Sequence, residues 1–138
     1  KVRALADWLN AEHPGKGTAD GGAPIIMADD YSYGPELAFR TQYRLVAGPY
    51  HRNPQAIFDT IDAMTDYTGT KARAILDRRQ VSLIVRCVAV VVPHYYDPFH
   101  LTLYDRMGGT GSLPDWLTKL DLPADLARRF RVYEVQGR

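Results

Sequence analysis

Cysteine is almost absent from this chain: Cys87 is the only one among 138 residues. A single thiol cannot form an internal disulfide, and it cannot supply a cysteine-based zinc site. Cys87 also lies inside an apolar run, where a lone cysteine behaves as a small hydrophobic side chain rather than as a nucleophile. The sequence therefore predicts neither a disulfide-stabilised fold nor cysteine catalysis.

Excess charge and long apolar runs are absent as well. The chain has 17 Lys and Arg against 16 Asp and Glu, and the two signs are interspersed. This balance gives no electrostatic reason to expect nucleic-acid binding, and the sequence has no polybasic tail that would bind a membrane surface. No stretch reaches the roughly 18 uninterrupted apolar residues of a membrane-spanning helix. We therefore expect a single soluble domain over residues 1–138 with one core.

The common nucleotide and catalytic motifs are missing too. Residues 108–111 are rich in glycine, but they follow a predicted helix, whereas phosphate-binding glycines lie between a strand and a helix N-terminus. There is no Gly-x-Ser-x-Gly elbow and no His-Glu-x-x-His zinc motif. The sequence predicts no cofactor and no metal.

Apolar patterns alternate between helix and strand types along the chain. Helices are predicted at 2–13 and at 113–120. Three more are predicted to begin at Pro54, after Thr70 as the N-cap, and after Asp97-Pro98. Phe99 is expected on the inner face of the last of these three. Strands are predicted at 24–28, 44–47 and 129–135, the last at a sheet edge. A further β-prone run over 81–92 is too long for one central strand, so we expect it to bend or end near Arg86-Cys87. This alternation predicts a three-layer, Rossmann-like α/β fold, with a mainly parallel sheet of about four to five strands and helices on both faces.

The predicted core consists of the apolar residues on the inner faces of these elements. Its members are Ile25, Ile26, Leu45, Val46, Ile57, Ile61, Ile75, Leu76, Leu83, Ile84, Val85, Leu103 and Val132. Phe58 and Met64 share a helical face with Ile57 and Ile61, so we expect that whole face to turn inward.

Polar residues follow several predicted strands, where open α/β sheets usually place their ligands. The candidate contacts for a ligand or partner are Tyr50, His51, Arg52, Asn53, Asp29, Asp30, His94 and Tyr95. None is assigned a catalytic role. Asn53 has a structural alternative, since Asn before Pro54 is typical of a helix N-cap.

Each candidate suits a particular chemistry. Arg52 has a forked donor array that suits phosphate, and the tyrosines could stack on a sugar, lie at a lipid headgroup or simply pack within loops. Asp29 or Asp30 could pair with Arg52 or Arg40, which would lower the pKa of the carboxyl. The aspartates and histidines do not show paired metal-ligand spacing.

Three segments together carry a family resemblance: Tyr33-Gly34-Pro35-Glu36-Leu37 with Thr41, residues 44–53, and residues 81–87. Over residues 24–135 the chain resembles the C-terminal soluble domain of large bacterial polytopic membrane proteins similar to polyprenyl-phosphate-sugar-dependent glycosyltransferases. Pro49-Tyr50-His51-Arg52-Asn53 is the most distinctive part.

The resemblance implies a domain that belongs to a larger protein of the bacterial inner membrane and faces the periplasm. Its implied partner is the transmembrane part of the same polypeptide, with a polyprenyl-phosphate-sugar or a glycan acceptor as further candidates. The catalytic carboxylate would lie in that transmembrane part, so the isolated domain is expected to be inactive.

Three hypotheses follow. The first is an extracytoplasmic accessory domain of a membrane glycosyltransferase-like protein, which helps to form or support the acceptor or lipid-phosphate-sugar site. The second is a free-standing small α/β enzyme whose acid–base pair is His51 with Asp29 or Asp30. The third is a binding module without chemistry.

Overall fold

The computed structural model describes residues 1–30, 32–47, 54–90 and 92–137. The helices are α1 Val2–Glu12, α2 Gly34–Arg40, α3 Pro54–Thr65, α4 Thr70–Arg78, α5 Leu103–Met107 and α6 Ala124–Ala127, with a 3-10 turn at Pro93–Tyr95. The strands are β1 Ile25–Ala28, β2 Arg44–Leu45, β3 Val81–Cys87, β4 Leu117–Lys119 and β5 Phe130–Val135.

The five strands form one mixed sheet in the order β2-β1-β3-β5-β4. Strand β1 pairs in parallel with both β2 and β3, so Ile26 lies opposite Leu45 on one side and Leu83 on the other. Strand β5 is antiparallel to β3 and to β4. The predicted α/β class, with its parallel central strands, is confirmed, and the carboxyl ends of β1, β2 and β3 meet at one edge.

Helices cover both faces of the sheet, because successive strand residues point to opposite sides. Met27, Ile84 and Tyr133 pack with the buried residues of α3, α4 and α5. Ile26 and Leu83 pack on the other side with those of α1, α2 and α6. Two cores therefore enclose the sheet, as a three-layer fold requires.

The end of the chain differs from the prediction. Residues 113–120, predicted as helical, contain strand β4, and β5 lies between β3 and β4 instead of at the edge. Phe130 and Val132 of β5 are buried on one face while Tyr133 and Val135 are buried on the other, so this strand needs cover on both sides. A strand of three residues is too short for its periodicity to identify it.

Helix α3 agrees with its predicted inner face only in part. Met64 is fully buried and Ile61 packs against the core, but Ile57 and Phe58 are 38% and 55% exposed. Asp59 is buried instead, where it pairs with the end of α4. The inner face of α3 therefore includes an ion pair that its apolar pattern does not indicate.

Two helix starts are displaced from their predicted caps. Thr70 is the first residue of α4, and Asp66 accepts the N–H of Ala72 at 2.8 Å in place of a cap side chain. Asp97 accepts the N–H of Phe99 in a turn, and Phe99 is 86% exposed. Helix α5 begins later, behind a capping box formed by Thr102 and Asp105.

Candidate functional site

The site is centred on Asp29, which follows β1 at the carboxyl edge of the parallel strands and is only 2% exposed. Its Oδ1 atom accepts the Tyr33 hydroxyl at 2.5 Å and the Cys87 N–H at 3.2 Å. Its Oδ2 atom is buried and has no hydrogen-bond partner among the described residues. A buried carboxyl oxygen without a donor is costly when the group is ionised.

Burial raises the pKa of Asp29 from 3.8 to about 6, although the hydrogen bonds from Tyr33 and Cys87 and the charge of Arg86 oppose this rise. The Tyr33 hydroxyl has one proton and two nearby acceptors, Asp29 Oδ1 and the Val85 carbonyl, the latter at 2.9 Å. Tyr33 donates to Asp29 Oδ1 when Asp29 is ionised, whereas a protonated Asp29 can donate to Tyr33 and leave the Tyr33 proton for Val85. The geometry therefore matches the raised pKa.

Arg86 of β3 lies near the same edge. Its guanidinium carbon is 4.2 Å from the centre of the Tyr104 ring, a cation–π contact. Its Nε atom is buried without a partner among the described residues. Two buried polar atoms at this edge, Oδ2 of Asp29 and Nε of Arg86, therefore have no hydrogen-bond partner among the described residues.

The predicted pairing of the aspartates is not formed with Arg40. That arginine binds Glu36 at 2.9 Å, and Asp30 accepts the Ser32 hydroxyl at 2.8 Å. The expected lowering of the carboxyl pKa is wrong for Asp29, because burial outweighs the donors around it.

The remaining candidates are placed as follows. His94 is exposed and its ring lies 4.6 Å from that of Tyr95. Tyr95 is 4% exposed and packs against Tyr104 at 5.1 Å. The predicted contacts Tyr50, His51, Arg52 and Asn53 lie outside the described residues, so their roles stay predictions.

Tyr33 and Arg86 are site residues that sequence reasoning missed. Arg86 could have been found, since it is a charged residue in an otherwise apolar strand. Tyr33 could not, because its bonds to Asp29 and Val85 depend on the folded turn.

Two kinds of feature are absent from the described residues. No three His, Cys, Asp or Glu side chains in residues 1–30, 32–47, 54–90 and 92–137 come together as metal ligands. Within the same ranges, none of the helices has the length and apolar character required to cross a bilayer.

The fold and the site define an α/β domain with a buried carboxyl, titrating near neutral pH, at the carboxyl edge of its parallel strands. No family model matches the chain, and no curated protein matches it. Among solved structures it is similar to the C-terminal globular domain of an oligosaccharyltransferase from Archaeoglobus fulgidus, with a TM-score of 0.66 and 15% identity. The similarity covers 97% of this chain and 96% of that one, and it establishes a shared fold.

Proposed function

We propose that this chain is an extracytoplasmic accessory domain of a membrane glycosyltransferase-like protein. The observation that carries the proposal is the structural similarity over nearly the whole of both chains to a domain of an oligosaccharyltransferase. The match extends over helices and strands along both chains, which a shared sheet motif alone would not produce. The domain would support the acceptor or lipid-phosphate-sugar site and would not be catalytic by itself.

The arrangement of the carboxyl edge supports this role. Asp29 is held inside the protein by Tyr33 and by the backbone of Cys87, so it stiffens the loops that leave β1 and β3. Stiff loops at the carboxyl edge suit a surface that positions another component. In this proposal the edge faces the transmembrane part of the same polypeptide, in the bacterial inner membrane and on its periplasmic side.

A second candidate is a free-standing acid–base enzyme that uses Asp29. The observation that favours it is the pKa of about 6, because a general acid or base works best when its pKa is near the operating pH. In this alternative His51 would be the partner of Asp29 or Asp30.

The reading frame upstream of Lys1 tests the first proposal. We expect about ten apolar segments of spanning length, with acidic residues in the first large loop outside the cytoplasm. A start codon or a lone signal peptide directly before Lys1 would contradict it and would favour the enzyme hypothesis.

A further inference from the structure

A basic cavity lies at the glycine-rich turn after α5, and the guanidinium group of Arg86 packs against Gly108 of this turn. It has a volume of about 320 Å³ and is bounded by the turn after α5 and by strands β4 and β5. Arg106, Lys119 and Arg131 line it, and none of the described residues that line it is Asp or Glu. A half-open cavity lined by three cations and no described carboxylate attracts anions.

The sheet register adds a fourth cation to this cluster. Arg131 lies directly opposite Arg86 in the antiparallel pairing of β3 and β5. Like charges at opposite positions of a strand pair repel each other and destabilise the sheet. Lys119 lies opposite Tyr133, two residues along β5 from Arg131, and lines the same cavity as Arg131.

Among these four cations, Arg86 acts on the nearby carboxyl of Asp29 and lowers its pKa, although it forms no ion pair with it. None of them forms a salt bridge with a described residue. Nη1 of Arg106 donates to the Ser112 carbonyl, and Nη1 of Arg131 donates to the Phe130 carbonyl, both at 3.0 Å. These backbone contacts orient the guanidinium groups but leave their charge in place.

The glycine-rich turn makes room for the guanidinium group of Arg86 and does not supply donors to a ligand. A Cβ atom on Gly108 would lie 2.4 Å from Nη1 of Arg86, so a side chain there would push this arginine aside. The N–H groups of Gly108 and Gly109 donate back to carbonyls of α5. This turn therefore differs from the phosphate loops that bind through backbone amides.

We propose that this cavity binds a phosphate group. Arginine guanidinium groups can bind phosphate oxygens in pairs, and Lys119 adds a point charge at the mouth. Bound phosphate would relieve the repulsion between Arg86 and Arg131. The group could belong to a free phosphorylated solute or to a lipid headgroup, and the inference does not depend on the proposed function.

Titration with inorganic pyrophosphate, at an ionic strength held constant with sodium chloride, tests the free form. We expect Lys119→Ala and Arg106→Ala each to weaken binding by about tenfold, because each removes a lining cation. Lys71→Ala and Arg3→Ala are the matched controls, since both remove one exposed positive charge elsewhere. These controls should change binding by less than about twofold. Circular dichroism would establish that every variant is folded.

Flotation with phosphatidylcholine vesicles that contain phosphatidic acid tests the lipid form, with pure phosphatidylcholine vesicles as the blank. The proposal is supported if the protein binds in either assay and this binding is lost in Lys119→Ala but kept in Lys71→Ala. The assay in which the protein binds identifies the source of the phosphate. Absence of binding in both assays overturns the proposal. Equal losses in the Lys119 and Lys71 variants also overturn it, since they would indicate non-specific attraction.

Discussion

The Asp29→Asn variant should become more stable relative to the wild type as the pH rises. Between about pH 4 and pH 8, the difference in the free energy of unfolding should change by about 2 to 3 kcal/mol in favour of the variant. The folded pKa of Asp29 is raised to about 6 from 3.8. The proton on this carboxyl therefore stabilises the fold fully below about pH 3.8, and its contribution is lost as the pH rises through about 6. Asparagine has no proton to lose, so the variant avoids this loss.

Urea unfolding of both proteins across this pH range measures the effect. Asp7→Asn is the control, because it removes an exposed carboxyl of α1 that is not among the groups acting on Asp29. The control should leave the pH profile close to that of the wild type. Parallel profiles for wild type and Asp29→Asn would show that the Asp29 carboxyl does not titrate as the geometry implies.

The second large effect is expected at Arg79, which links α4 to α3. Nε of Arg79 lies 2.6 Å from Oδ2 of Asp59, whose side chain is only 3% exposed. Burial by itself would raise the pKa of Asp59, but hydrogen bonds from Arg79, Gln55 and Arg78 outweigh it and hold the pKa below its usual value. Arg79→Ala leaves this buried carboxylate undercompensated and should lower the free energy of unfolding by about 2 kcal/mol near pH 7.

Denaturant unfolding with Arg40→Ala as the control isolates this effect. Arg40 forms a comparable pair with Glu36, but both side chains are exposed, and such pairs contribute less than about 1 kcal/mol. The effect of Arg79→Ala should also diminish as the pH falls below the usual carboxyl range, because the contribution of a lowered pKa is lost when Asp59 is protonated. Equal losses for the two arginine variants would contradict the account.

Much of the fold could be predicted because apolar runs mark its buried strands. Residues 25–28 and 81–87 are parallel neighbours at the centre of the sheet, where strands are apolar on both faces. The turn at residues 108–111 ends α5 as its glycines predict.

What could not be predicted depends on long-range pairing. The helical pattern of α3 places Ile57 on the inner face, but Asp59 pairs with residues about twenty positions later and is buried while Ile57 is exposed. At the site, the position of Asp29 after a strand could be predicted. The direction of its pKa shift could not, since it depends on burial and on the Tyr33 hydroxyl.

The most direct test of the proposed accessory role is a sugar-transfer assay. Three samples would be compared: membranes with the full-length polypeptide, membranes with the same polypeptide without this domain, and the isolated domain added to empty membranes. Each sample would receive one lipid-linked sugar. The donors are polyprenyl-phosphate-linked glucose, polyprenyl-phosphate-linked mannose and a polyprenyl-diphosphate-linked oligosaccharide. Consumption of the lipid-linked sugar would be measured by mass spectrometry. The account predicts consumption with the full-length protein, a strong reduction without the domain, and none with the isolated domain. Consumption by the isolated domain, abolished by Asp29→Asn, would contradict it and would establish the domain as an enzyme in its own right.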